Sequence, residues 1–420
     1  MENELTRPPS SWPSERDSHS ESRRPRRWSL FRVARNLFFA AVVLYMAATA
    51  FRLYARKYYI FMPSYARWML TPTPSAGATP THVFFFVTDH FEPDYDVDRV
   101  RRWADRYRAL AARHRDSDGR PPQHGWFYPG EQGDPAIFSV LHDMTTAGLG
   151  EVELHYHHHY DTLETLRPQL ADAIEDFQQY GFLKTRDGQT HFAFIHGNSD
   201  LDNSNGPDNC GVSTELRLLR ELGSFADFTF PSIYLDSQPP FVNNIYAAKD
   251  DDQPKSYSRP LPLSALRDGS ADLMIFQGPL LFTPSWKVSH LFLDLEDGDI
   301  HPTVQPSAAR VDSWIRANVH VAERPDWVFI KVFAHGISSA ADEDAIIGSN
   351  FDAALSHLEH EYNDGRRYVL HYITARQAYN LARAAADGKR GDPRQYFDSP
   401  IPPYAADGVT PYLPALTRSN

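Results

Sequence analysis

The stretch "GEVELHYHHHYD", Gly150 to Asp161, decides how this chain folds. Its first half reads as a β-strand, and successive strand side chains point to opposite faces. Val152, Leu154 and Tyr156 then share one face and suit a covering layer of helices. Glu151, Glu153 and His155 share the other, joined by His157 and His159 if the extended form continues that far. A solvated edge strand tolerates five ionisable groups on one face; a central strand needs a purpose for them. Neutral imidazoles are good zinc ligands, and catalytic sites combine about three protein ligands with an open position. The expected purpose is a divalent metal, most simply Zn2+. The competing reading of the same residues is a surface histidine tract with no function.

Working outward, six more apolar runs have strand character: residues 82–88, 191–197, 227–232, 272–278, 327–335 and 367–374. Most are near-continuously hydrophobic, as in strands buried on both faces. Helical patterns lie between them at 98–114, 135–146, 162–180, 212–222, 308–320, 350–362 and 375–386. Strand–helix alternation repeated seven times predicts one α/β domain with a parallel sheet, closed or nearly closed into a barrel. The Pro-rich stretches 233–270 and 279–306 read as insertions over one end of it, where substrate contacts are usually found.

Other strand ends carry polar groups. "FFFVTDHFEP" places Asp89 and His90 at the end of the first strand, where catalytic groups gather in such folds. Asp94, Asp96 and Asp98 are better placed to cap the next helix, so Asp89 has no obvious structural task. "WVFIKVFAHG" ends on His335, on one face with Lys331, and Gly336 permits a sharp turn after it. "FIHGN" adds His196 and Asn198, which suit either a hydroxyl-rich ligand or a plain turn. Trp126, Tyr128 and Trp286 are candidates for stacking on sugar rings, with core packing as the alternative.

The amino terminus differs from the rest. Residues 1–28 hold too little apolar surface to fold and read as a disordered tail. Asn36 to Phe51 is an uncharged apolar run of 16 residues, somewhat short of the ~20 of a spanning helix. Arg and Tyr residues flank it, and the upstream arginines favour a cytoplasmic amino terminus. Residues 29–57 are expected as a single-pass anchor in the inner (cytoplasmic) membrane, with the folded domain outside the cytoplasm. Residues 58–81 are expected as a linker, 82–390 as the barrel domain and 391–420 as a tail. Residues 1–67 hold 12 basic and 5 acidic side chains, which leaves 30 against 49 for the remainder. A domain this acidic is a poor partner for nucleic acid. Cys210 is the only cysteine, so no internal disulfide forms.

With these strand ends in place, the chain resembles the polysaccharide deacetylase (NodB-like) superfamily. "EVELHYHHH" matches its second motif, which maps His155 and His159 onto two metal ligands. "FAH", ending at His335, matches the late motif that carries the general acid. "DHFEP" stands where the family pairs two aspartates, one a base and one a metal ligand. Here His90 replaces the metal carboxylate, or Asp89 binds the metal and the base is lost or supplied elsewhere, for instance by Glu92. "HGN" stands where the family has a base-orienting arginine. The order of motifs over roughly residues 82–388 carries the resemblance. It implies a distorted (β/α)7 barrel and a metal-dependent hydrolase that removes acetyl groups from an N- or O-acetylated sugar polymer. In that scheme Asp89 is the base, His335 the acid, and His196, Asn198 and Lys331 contact substrate. An inactive carbohydrate-binding partner in exopolysaccharide assembly and a two-carboxylate glycoside hydrolase, using Asp89 and Glu153, are the alternatives.

Overall fold

The computed structural model describes residues 27–71, 79–285, 287 and 290–407. The expectations for the tail at 1–26, the linker at 72–78, Trp286 and the segment past 407 lie outside the described residues. The chain divides after Phe51. Helix α1 (Arg27–Ala55) runs through this boundary, and its Leu30–Ala55 stretch is long and apolar enough to cross a membrane.

The remaining elements follow in chain order. They are α2 (Met62–Leu70), β1 (Thr81–His90), α3 (Val97–Ala111), β2 (His124–Pro129), α4 (Pro135–Thr146), β3 (Gly150–Tyr156), α5 (Leu163–Gln178), β4 (Phe192–His196), α6 (Glu215–Leu222) and β5 (Ser224–Asp227). After them come β6 (Asn244–Ala248), α7 (Ser264–Arg267), β7 (Leu273–Gln277), β8 (Leu281–Pro284), β9 (Leu293–Glu296), β10 (Asp299–Ile300) and α8 (Ala308–Ala317). The chain continues with β11 (Trp327–Ala334), α9 (Ala340–Ile347), α10 (Ser349–Glu361), β12 (Tyr368–Tyr372) and α11 (Ala375–Ala386).

The sheet order is β10-β11-β1-β2-β3-β4-β5-β7-β6, with β12 also paired to β1. Every pairing is parallel except β6 with β7; β8 and β9 form a separate antiparallel hairpin. Strand β1 is central: its outer edge meets β11, and its other edge meets β12 early and β2 late. Both its faces are covered as well, by separate apolar cores, which explains its unbroken apolar run. Val83, Phe85 and Val87 pack with Trp103, Leu141 and other helix residues. Phe84 and Phe86 point the other way, into a second core with Phe127, Ile195, Phe276 and Phe329. In that core Phe276 of β7 lies 6.0 Å from Phe86 of β1 and 6.1 Å from Phe329 of β11. The sheet thus curls until β7 comes within ring contact of β11. Among the described residues no hydrogen-bonded ladder joins β6 or β7 to β10 or β11. The expectation of an α/β domain with a mostly parallel sheet holds at this level.

Several elements differ from the sequence reading. The run expected as a strand at 227–232 leaves the sheet at Asp227, whose carboxylate accepts from the Thr229 amide (3.0 Å) and hydroxyl (2.7 Å) and so closes a turn. Strand β2 was not anticipated; its Trp126 and Tyr128 are fully buried on the helix side, and neither is free to stack on a sugar. Strands β6, β8 and β9 lie in the stretches expected to be irregular. Residues 58–70, expected in a linker, are folded: Tyr58, Phe61 and Tyr65 pack with Val242, Leu280 and Leu281, and the Tyr65 hydroxyl accepts from the Phe282 amide at 2.9 Å. The first part of the expected carboxyl-terminal tail is folded too, with Ile401, Tyr404 and Ala406 buried.

Candidate metal centre

The residues that were to meet a metal start from the ends of three parallel strands. His90 is the last residue of β1, His155 lies one residue before the end of β3, and His335 follows β11 directly. Strand alternation fixes their directions. On β1 the inward parity of Phe84 and Phe86 continues to His90, whose ring centre is 4.5 Å from that of His335 and 4.7 Å from that of His155. Glu92, just beyond β1, brings Oε1 to 2.8 Å from His155 Nε2 and 3.3 Å from His157 Nε2. His157 Nδ1 meets Glu131 Oε1 at 2.5 Å. His90, Glu92 and His155 present ligand atoms that all lie within 4.8 Å of one another. His90 and His155 are buried, Glu92 and His157 half-buried and His335 exposed, so the cluster opens to solvent on one side.

The donor set fits a zinc-type ion. His155 Nδ1 lies 3.2 Å from the Ile195 carbonyl, which can only accept, so Nδ1 carries the proton. A neutral His155 ring then turns the Nε2 lone pair toward the Glu92 carboxylate. Two acceptors at 2.8 Å repel unless a proton or a cation lies between them. Burial lowers the proton affinity of His155, with Glu92 acting against it. Burial also lowers His90 well below the usual histidine range, with the neighbouring His335 and His155 adding to the effect. Neutral imidazole is the form that binds metal. Among the described residues His90 Nδ1 is buried without a hydrogen-bond partner. A backbone carbonyl orienting the far nitrogen of a ligand histidine is the usual arrangement around bound metals.

The other expected site residues lie elsewhere. Asp89 shares the helix-facing parity of Phe85 and Val87. Its Oδ1 accepts from the Gly336 amide at 2.6 Å, and its Oδ2 is 2.9 Å from His124 Nε2. A Cβ on residue 336 would come within 2.4 Å of Asp89 Oδ2, so this turn requires glycine. Asp89 thus holds the turn that carries His335. His159 is exposed and outside the cluster, because the chain leaves the sheet at Tyr156 and alternation ends there. Asn198 donates to the carbonyls of His158 (2.8 Å) and Asn209 (3.0 Å), and His196 is fully buried near His158 and Glu215. Glu131 and His157 complete the open side; His157 is on the face expected from alternation, whereas Glu131 was not anticipated because it comes from the turn after β2.

Glu151 and Glu153 face inward as expected, but protein groups engage them. Glu151 pairs with Arg376. Glu153 accepts from the Ala193 amide (2.7 Å) and the Tyr404 hydroxyl (3.0 Å), and burial together with Glu151 raises it well above the usual carboxylate range. Asp89 and Glu153 therefore lie on opposite faces of the sheet. Another group that could hold an ion, Asp116, Asp118 and His371, is internally engaged: Asp116 accepts from the amides of Asp118, Arg120 and Tyr372, and Asp118 contacts His371 and Arg394.

Lys331 is buried, with its Nζ donating to the Phe228 (2.8 Å) and Phe230 carbonyls. Burial pushes its ammonium down to about 7, against the pull of Asp227 and Asp297. An unfolded lysine keeps its ordinary value of 10.5. Between those values the unfolded chain binds the proton and the folded chain does not. Stability is therefore fully present above 10.5 and falls as pH drops toward 7. Relative to Lys331→Met, the wild type should gain about 1 kcal/mol per pH unit between pH 7.5 and 9. Denaturant melts at several pH values measure this, and parallel pH dependences for the two proteins would contradict it.

No family model matches the chain, and no curated protein matches it. The structure itself defines an α/β protein with a mostly parallel sheet and side-chain groups that could bind a metal ion.

Proposed function

We propose that the chain is a metal-dependent hydrolase of the polysaccharide deacetylase type, which removes acetyl groups from an N- or O-acetylated sugar polymer. The observation that carries the reading is the convergence of His90, Glu92, His155, His157 and His335 where three parallel strands end, the position at which parallel sheets hold their active sites. The curled sheet is the distorted, incompletely closed barrel of this reading. Helix α1 is its single-pass anchor in the cytoplasmic membrane, with the basic amino terminus inside and the domain outside.

His90, Glu92 and His155 would hold the ion. A bound Zn2+ supplies Lewis acidity, which acidifies water and polarises the acetyl carbonyl. The Glu131 carboxylate at the open rim, beside His157, takes the proton of the attacking water. His335, exposed beside His90, delivers a proton to the departing amine or alcohol. Asp89 acts as a positioning residue through the Gly336 turn. The ring nitrogens of His90 and His155, locked in the sheet, keep the ligand set in place between turnovers.

The test is acetate release from acetylated glycans by the full chain in detergent, with and without a chelator. Release that the chelator abolishes and added zinc restores is expected. Chelator-insensitive cleavage of the glycan chain would instead indicate a glycoside hydrolase. Polymer binding without acetate release would indicate a carbohydrate-binding partner.

A further inference from the structure

A second cluster stands a few residues from the first and differs from it in kind. His158, His196, Cys210 and Glu215 are all buried, and their ligand atoms lie within 4.8 Å of one another. We infer that these four side chains form a closed, structural zinc site, independent of the hydrolase reading.

The spacing fits one ion. Glu215 Oε1 is 3.2 Å from His158 Nε2 and 3.8 Å from His196 Nε2, and Glu215 Oε2 is 3.6 Å from Cys210 Sγ. Ligands on a tetrahedral Zn2+ at ordinary bond lengths are separated by about 3.3–3.6 Å. The charges fit as well. One thiolate and one carboxylate neutralise Zn2+, so the filled site carries no net charge into a dry interior, whereas the bare anions would. Among the described residues His196 Nε2 has no hydrogen-bond partner although it is buried and faces Glu215. Soft thiolate with two imidazoles selects zinc over calcium or magnesium.

The surroundings fit a bound ion. Asp161 Oδ2 lies 3.4 Å from His158 Nδ1, within ion-pair distance of the ring nitrogen that faces away from Glu215. Glu215 Oε2 accepts from the Asp202 amide at 2.6 Å, and the Val212 amide points at Cys210 Sγ at 3.4 Å. One contact changes on binding. The Asn198 amide lies 3.2 Å from His196 Nδ1, and ligation through Nε2 moves the ring proton to Nδ1 and releases that amide. Four protein ligands leave no position open for substrate, which marks a structural rather than a catalytic site. The ion would fasten the irregular segment 197–214 and the start of α6 to the end of β4. It would also fix His158, and with it the chain that carries His155 and His157 into the other cluster.

The single cysteine makes the site separately visible. In the full chain loaded with Co2+, a thiolate-to-cobalt charge-transfer band can arise only from Cys210. The band is expected in the wild type and in His155→Ala, which removes a ligand of the other cluster only. It should vanish in Cys210→Ser, with the loss of one equivalent of zinc per chain from the as-purified protein. Wild-type chain that binds cobalt without this band overturns the proposal, and this readout does not depend on any variant folding. A wild-type chain that shows the band but releases no acetate from acetylated glycans would leave the structural site standing and count against the hydrolase reading alone.

Discussion

His155→Ala should lose the ion of the His90–Glu92–His155 cluster and all chelator-sensitive acetate release, while His335→Ala keeps the ion and slows turnover about 10²–10⁴-fold, the usual contribution of a general acid. The two residues differ in what surrounds them. His155 is fully buried, its Nδ1 tied to the Ile195 carbonyl and its Nε2 aimed at Glu92. Its removal leaves His90 and Glu92, too few ligands to hold a zinc-type ion firmly. His335 is exposed, its ring 4.5 Å from His90, and lies outside the group of ligand atoms. Its loss should therefore lower kcat with little change in KM. Metal analysis together with steady-state kinetics separates the cases. Full metal retention in His155→Ala would remove the cluster from the mechanism, and full activity in His335→Ala would remove the acid.

The helical patterns expected at 135–146 and 375–386 coincide with α4 and α11, because their ends are set locally. Asp134 accepts from the Ala136 and Ile137 amides at the start of α4. Thr374 and Gln377 form a capping box at the start of α11. Parity on β1 was not legible, because Phe84 and Phe86 on one face and Phe85 and Val87 on the other are equally apolar. Whether Asp89 or His90 pointed inward therefore stayed open until the structure placed His90 beside His155. In the histidine run, alternation holds as far as Tyr156. Beyond it His157 turns to Glu92 and Glu131, His158 to Glu215, and His159 to solvent. The group of His158, His196, Cys210 and Glu215 spans three separate segments and has no spacing signature; only the fold brings it together. β2 was hidden by its Gly125 and Pro129 and by aromatic residues that suited a binding loop equally well.

Arg376→Met should destabilise the domain by about 3–5 kcal/mol, and the added substitution Glu151→Leu should recover most of that loss. Glu151 is the second residue of β3, on the inward face, and Arg376 lies in the first turn of α11; both are almost wholly buried. Arg376 Nε and Nη2 reach Glu151 Oε1 at 3.0 and 2.6 Å, and Nη1 reaches Asp398 at 3.0 Å and the Ile401 carbonyl at 2.9 Å. Removing the guanidinium leaves a carboxylate in a dry interior beside Glu153, which is itself unable to ionise readily there. Removing both partners takes away the stranded charge as well as the attraction, and buried pairs replaced by apolar side chains are often neutral in stability. The Ile401 carbonyl keeps a donor in either variant, the Asn380 side-chain amide at 2.8 Å. Glu151→Leu alone should cost less than Arg376→Met, because the guanidinium keeps Asp398 at 3.0 Å and Asp407 at 3.8 Å as counter-charges. The midpoint of chemical denaturation, followed by tryptophan fluorescence, measures all three. A midpoint unmoved by Arg376→Met would mean that Glu151 has another partner, and the claim that this inward carboxylate serves the fold rather than a metal would fall with it.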